Sequence, residues 1–138
     1  MQARGVRLTD VDSRRLQSLI EGARLRVARD AGSFDRLEQH LDEADVMPAG
    51  HIGPDVVTMN SEVLVTDLGT GETFTIHVVF PRTADVNAGR ISVLAPLGMA
   101  VLGRRAGDLI TWTTPGGART LRVDEVIYQP ERSGRDVA

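Results

Sequence analysis

The strongest constraint in this chain is the spacing of glycine and proline between residues 89 and 117. Gly89, Pro96, Gly98, Gly103, Gly107, Pro115, Gly116 and Gly117 interrupt a stretch that is otherwise rich in apolar and β-branched residues. The pattern reads as a short strand over Ile91 to Leu94, a helical turn opened by Pro96, a turn at Gly107-Asp108, a second strand over Leu109 to Thr114 and a Pro-Gly-Gly bend. Proline suits a first helical position because the N–H it lacks would be unpaired there. Gly103 can stop the helix soon afterwards. So many changes of backbone state in so short a span predict a rigid, specific segment.

Upstream, Thr9-Asp-Val-Asp12 predicts a helix start, a threonine cap followed three residues later by an acid. Leu16, Leu19, Ile20, Ala23 and Val27 then form one apolar stripe in a helix over residues 9–29. After Asp30-Ala-Gly-Ser33, a second helix capped by Ser33 carries Phe34, Leu37, Leu41 and Ala44 on one face. Two amphipathic helices across a tight turn predict a short antiparallel helical hairpin, a coiled-coil-like arm over residues 1–47. At about 12 residues and about 1.5 Å of rise each, its second helix is on the order of 18 Å long.

Prolines and glycines between Val46 and Pro54 cannot continue a helix, and residues 48–54 read as a linker. Val63 and Val65 alternate with Leu64 and Thr66, a turn follows at Asp67-Leu-Gly-Thr-Gly71, and Phe74, Ile76, Val78 and Phe80 alternate with their neighbours. The last strand, Ala118 to Gln129, carries Leu121 and Val123 on one parity and Val126 and Tyr128 on the other, which predicts a bulge near Asp124-Glu125. Residues 55–130 are therefore expected to form an α+β unit, an antiparallel sheet with one short helix over a face. Residues 131–138 read as a polar tail.

Composition narrows the chemistry. Cysteine is absent, which removes disulfides, thiolate metal sites and cysteine nucleophiles together. His40, His51 and His77 are too far apart for metal-ligand spacing. All 16 basic residues are arginine, yet the net charge is −3 and the acids are spread over both halves, so neither half is a basic nucleic-acid module and no specific DNA binding is expected. No apolar run reaches the roughly 20 residues of a membrane span, and the N-terminus lacks the apolar core of a signal peptide; the expected location is the cytoplasm, with no membrane partner.

Asp35 and Glu38 share a helix face at i and i+3 and could hold a hard cation if another molecule supplied further oxygens. The simpler reading is an acid favoured by the helix N-terminus and an ordinary solvated glutamate. Arg24, Arg26 and Arg29 cluster near the arm end with Asp30. They suit RNA or an acidic partner, although no aromatic residue is interleaved for base stacking, and a solvated face is the simpler reading. Pro115-Gly116-Gly117 is flanked by strands and is a turn rather than a phosphate loop. No local catalytic motif is present. The expectation is a binding protein, not an enzyme, with no catalytic residue, cofactor or metal.

Gly89-Arg-Ile-Ser92, Pro96-Leu-Gly98, Leu102-Gly103, Gly107-Asp108 and Thr114-Pro-Gly-Gly117 resemble, in order and spacing, the C-terminal domain of the GreA/GreB transcript-cleavage factors. Asp55-Val-Val-Thr-Met-Asn-Ser61 looks more like the regulator of nucleoside diphosphate kinase (Rnk) family, a Gre-like branch. The resemblance implies an FKBP-like fold and a bacterial RNA polymerase partner. Gre factors insert a long helical hairpin through the polymerase secondary channel, where acids at its tip complete a magnesium site, and they dock at the channel entrance partly through an Asp-Ser-Pro element. The matching place here is Leu94-Ala95-Pro96, so the resemblance implies a more apolar docking surface over Leu94, Ala95, Pro96, Leu97 and Gly98. Arg24, Arg26, Arg29, Asp30, Asp35 and Glu38 become candidate arm-end contacts. An arm of about 18 Å is too short to bring a carboxylate to the polymerase active centre. The implied function is a monomeric transcription regulator that binds the secondary-channel rim and competes with Gre-type factors without stimulating cleavage. The alternatives are an FKBP-fold prolyl isomerase and a direct protein regulator of nucleoside diphosphate kinase.

Overall fold

The computed structural model describes residues 6–24 and 31–132. Its N-terminal part starts with a strand, β1 (Arg7–Thr9), which runs directly into α1 (Asp10–Arg24). The threonine cap forms: Thr9 Oγ1 accepts a hydrogen bond from Asp12 N at 3.0 Å. The second helix, α2 (Ala31–Asp42), includes Ser33 within it rather than at its cap, and Ala44 lies beyond its end. A further strand, β2 (Asp45–Met47), then pairs with β1 in parallel, with Leu8 opposite Val46.

This pairing corrects the expected helical hairpin and coiled-coil arm. The two helices are closed at their base by a parallel ribbon. Their apolar stripes also do not seal only against each other: Leu16, Ile20, Leu37 and Leu41 belong to one continuous core with Val57, Met59, Val63 and Val78 of the following domain. Amphipathicity says that a helix has a face to bury, not which surface will bury it. Leu16 and Ile20 of the expected stripe are buried and Leu19 packs against the same core, whereas Val27 and the side chain of Ala23 lie outside the described residues.

The main sheet contains β3 (Glu62–Asp67), β4 (Thr73–Val79), β5 (Arg90–Ser92), β6 (Leu109–Thr114) and β7 (Gly117–Tyr128), in the spatial order β5-β4-β3-β7-β6. It is a mixed half-barrel, not the FKBP-like all-antiparallel sheet that was expected. β3–β4, β3–β7 and β6–β7 are antiparallel, but β5 runs parallel to β4, with Val78 opposite Ile91. After Phe80 the chain makes two 3-10 turns, Pro81–Thr83 and Val86–Ala88, and returns to enter β5 in the direction of β4. A three-residue strand carries too little alternation to reveal its direction from sequence.

The bulge implied by the parity change is present. Leu64 pairs with Glu125 and Val65 with Val123, so Asp124 is the extra residue, and a second shift lies between Val126 and Tyr128. These shifts keep Leu121, Val123 and Val126 all in the core. The short helix α3 (Pro96–Val101) has Pro96 in its first turn and buries Leu97, Met99 and Val101. It lies directly against β5, where a Cβ on Gly98 would fall 2.2 Å from Ser92 O.

Candidate docking surface

Ser92, the last residue of β5, shapes the segment that follows it. Its hydroxyl accepts from Leu94 N at 3.0 Å and its carbonyl from Ala95 N at 3.0 Å. The Ala95 carbonyl in turn accepts from Met99 N at 2.9 Å, which begins α3. The fold thus holds the Leu94-Ala95-Pro96 backbone in one conformation, with Pro96 exposed and Leu94 and Ala95 half-buried. Leu97 and Gly98 face inward, Leu97 at 8% exposure, so of the five candidate docking residues these two support the surface from beneath.

The far end of α3 is tied to the N-terminal part. Gly103 N donates to Val57 O at 2.8 Å, and Gly103 O accepts from Arg7 N of β1 at 3.1 Å. Gly103 has φ +83, and a Cβ there would lie 2.9 Å from Arg7 O, so both its conformation and its surroundings require glycine. His40 of α2 reaches the same corner, its Nε2 lying 3.1 Å from Leu102 O. Burial holds the imidazole pKa below the usual histidine value, against the opposing pull of the Leu102 carbonyl. A neutral ring donating Nε2–H to that carbonyl fits both observations.

A second junction was missed in the sequence. Asp12, read there only as part of a cap, is 1% exposed, and its Oδ2 accepts from Met59 N at 2.9 Å. Beside it, Thr58 donates its hydroxyl to Glu131 Oε1 at 2.7 Å, and Thr58 N donates to Ser61 Oγ at 2.9 Å. Burial pushes the Asp12 carboxyl up to about 6; Glu131 adds to the rise, while the Met59 N–H, Arg15 and Thr9 oppose it. The only sequence signal was an acid that fitted a capping pattern. Its buried, long-range partner at residue 59 has no local signature.

The arm-end candidates are not assembled into a site among the described residues. Asp35 is exposed and Glu38 half-exposed on α2, on the turns that carry the buried Leu37 and Leu41. Arg26, Arg29 and Asp30 lie outside the described residues, as does the side chain of Arg24. No group of three or more His, Cys, Asp or Glu side chains is gathered as for a metal ion among the described residues. Nor is any described helix long and apolar enough to cross a membrane.

Comparison with known proteins gives a consistent result. Residues 52–128 match the family model for "Transcription elongation factor, GreA/GreB, C-term". The regulator of nucleoside diphosphate kinase of Escherichia coli strain K12 is 39% identical over 131 residues, which is 92% of this chain and 92% of that protein. Transcription elongation factor GreA of Chelativorans sp. strain BNC1 is 35% identical over 115 residues, 80% of this chain and 73% of its own length. Among solved structures, the prokaryotic transcription elongation factor GreA/GreB from Nitrosomonas europaea superposes with a TM-score of 0.73 at 37% identity, covering 89% of this chain and 99% of that one. That superposition extends well beyond the sheet. It sets the fold with this structure, in place of an arm followed by an FKBP-like sheet.

Proposed function

Because the chain belongs to the GreA/GreB transcription elongation factor family, we propose that it regulates transcription by binding RNA polymerase at the secondary-channel rim. The contact surface in this reading is Leu94, Ala95 and Pro96, displayed by Ser92 and α3. It competes there with longer Gre-type factors and does not stimulate transcript cleavage. The observation that carries the reading is the packing of the helical pair. Leu16, Ile20, Leu37 and Leu41 are committed to the common core, and α2 has 12 residues, about 18 Å at the standard rise. The Asp35 and Glu38 carboxylates are thereby kept close to the domain that docks.

Competition against GreA for core polymerase tests this. Replacing Leu94 with Ser and Pro96 with Ala together is expected to weaken binding roughly tenfold, as for loss of a central apolar anchor. Reversing charge at Arg24, Arg26 and Arg29 is expected to change it by less than about threefold, because this reading places the contact at Leu94 to Pro96. Failure to bind core polymerase at micromolar protein, or stimulation of RNA cleavage by this protein, would overturn the proposal.

A second reading follows from the 39% identity to a protein named for regulation of nucleoside diphosphate kinase. Under the polymerase reading, any change in kinase level after gene deletion is accompanied by a change in kinase transcript. Altered kinase activity with an unchanged transcript would favour direct contact between the proteins.

A further inference from the structure

Between α1 and the turn after β4 lies a cleft of about 930 Å³ whose lining differs in charge from the chain as a whole. The protein has a net charge of −3, yet among the described residues the cleft is lined by two arginines, Arg15 and Arg82, and by no acid. Phe80, Pro81 and Leu19 give it an apolar wall, and hydroxyl and amide groups complete it. The Arg15 guanidinium is held over the Phe80 ring, 4.7 Å from its centroid. Arg15 also acts electrostatically on the buried Asp12.

Asn60 is a second, independent sign. It is the one non-glycine residue with positive φ among the described residues, at 69°, and it lines this cleft. Its backbone is locked there by donation from Asn60 N to Val78 O at 2.7 Å. An unfavourable backbone state maintained at a concave surface directs attention to what its side chain meets.

We propose that this cleft binds a nucleoside phosphate. Guanidinium groups match phosphate oxygens in planar, two-point contacts, which a compact ammonium does not offer. The phosphates lie between Arg15 and Arg82, Asn60 supplies an amide to the sugar or base, and the flat moiety packs against Pro81 and Leu19, since Arg15 already covers the Phe80 ring. The volume falls within the range of about 300 to 1,000 Å³ typical of small-molecule sites. Leu94, Ala95 and Pro96 do not line the cleft, so this site stands whether or not the polymerase surface does.

Isothermal titration calorimetry of the full chain with GDP, ADP, UDP and inorganic pyrophosphate tests the proposal. The expected result is one site with micromolar affinity for at least one nucleotide and affinity at least about tenfold weaker for pyrophosphate. Arg82→Ala is expected to weaken nucleotide binding roughly tenfold, as for loss of one charge-assisted contact. Asn60→Gly should weaken it several-fold without lowering the melting temperature, because glycine adopts positive φ freely. Arg14→Ala, whose exposed side chain pairs with Asp10 outside the cleft, should leave binding unchanged. Absence of binding by every nucleotide at about 1 mM would overturn the proposal. Pyrophosphate binding as tightly as the nucleotides, or equal losses in Arg82→Ala and Arg14→Ala, would do the same.

Discussion

Replacing Asp12 with asparagine is expected to stabilise the protein at neutral pH and to flatten its stability between about pH 4 and pH 7. The Asp12 carboxyl is buried where α1 meets the 58–61 turn, and burial raises its pKa from 3.8 to about 6. An acid whose folded pKa lies above its unfolded value binds its proton more tightly in the folded state. Its contribution is therefore most favourable below the unfolded value near 3.8 and is lost as pH rises through about 6. Above that point the charged form costs on the order of 2 to 3 kcal/mol relative to the protonated one. Asparagine retains an oxygen for the Met59 N–H and carries no charge to desolvate.

Thermal melts should therefore place D12N several degrees above the parent at pH 7.5, with the gap closing toward pH 4.5. A variant less stable than the parent at pH 7.5, or a gap independent of pH, would show that the carboxylate is better solvated or paired than its burial indicates. Asp12→Ala serves as the contrast. It leaves the buried Met59 N–H without an acceptor, and a loss of about 1 to 3 kcal/mol relative to D12N, which also lacks the titrating carboxyl, is expected at any pH.

The second large effect is expected from Gly98→Ala. The added methyl would sit 2.2 Å from Ser92 O, 3.0 Å from Ser92 C and 3.3 Å from Val93 Cα, all backbone atoms of the strand edge beneath α3. Backbone cannot turn aside as a long side chain can, so α3 must lift. Leu97, Met99 and Val101 would then lose part of their burial, and the cost should be about 3 kcal/mol or more, roughly 10 °C in melting temperature. Gly50→Ala is the matched control, since a Cβ there meets nothing within 4 Å; its effect should stay within about 0.5 kcal/mol. A Gly98→Ala protein melting within about 2 °C of the parent would mean that α3 can shift without strain. Because Ser92 and α3 together display Leu94 to Pro96, the same substitution should also weaken polymerase binding in the proposed function.

Local chemistry made most of the element types legible. Pro96 and Gly103 bracketed α3, the alternation of Phe74, Ile76 and Val78 marked β4, and the parity change in β7 located a bulge. Each of these signals lies within a few residues of the structure it describes. The segment proposed for docking was half legible as structure: the Gly/Pro frame marked its turn and helix, but nothing local separated the exposed Pro96 from the buried Leu97 and Gly98. That separation depends on which side of α3 meets β5. The Arg15, Asn60 and Arg82 cleft had no signature at all, because its residues are distant in the chain and meet only when α1 packs beside the end of β4.

The spacing of glycine, proline and apolar residues was sufficient, without tertiary information, to specify the helices, most of the strands and the family resemblance of residues 89–117. Backbone geometry at such residues is set by short-range sterics, which travel with the sequence. The direction of β5, the closure of the helical pair by β1 and β2, and the burial of Leu16, Ile20, Leu37 and Leu41 in the common core were decided at long range. An apolar face is equally satisfied by any well-fitting apolar surface, so the hydrophobic effect leaves its partner open until shape and backbone hydrogen bonding choose. Here they joined the helical stripes to the core that the sheet also builds, in place of an arm with a core of its own.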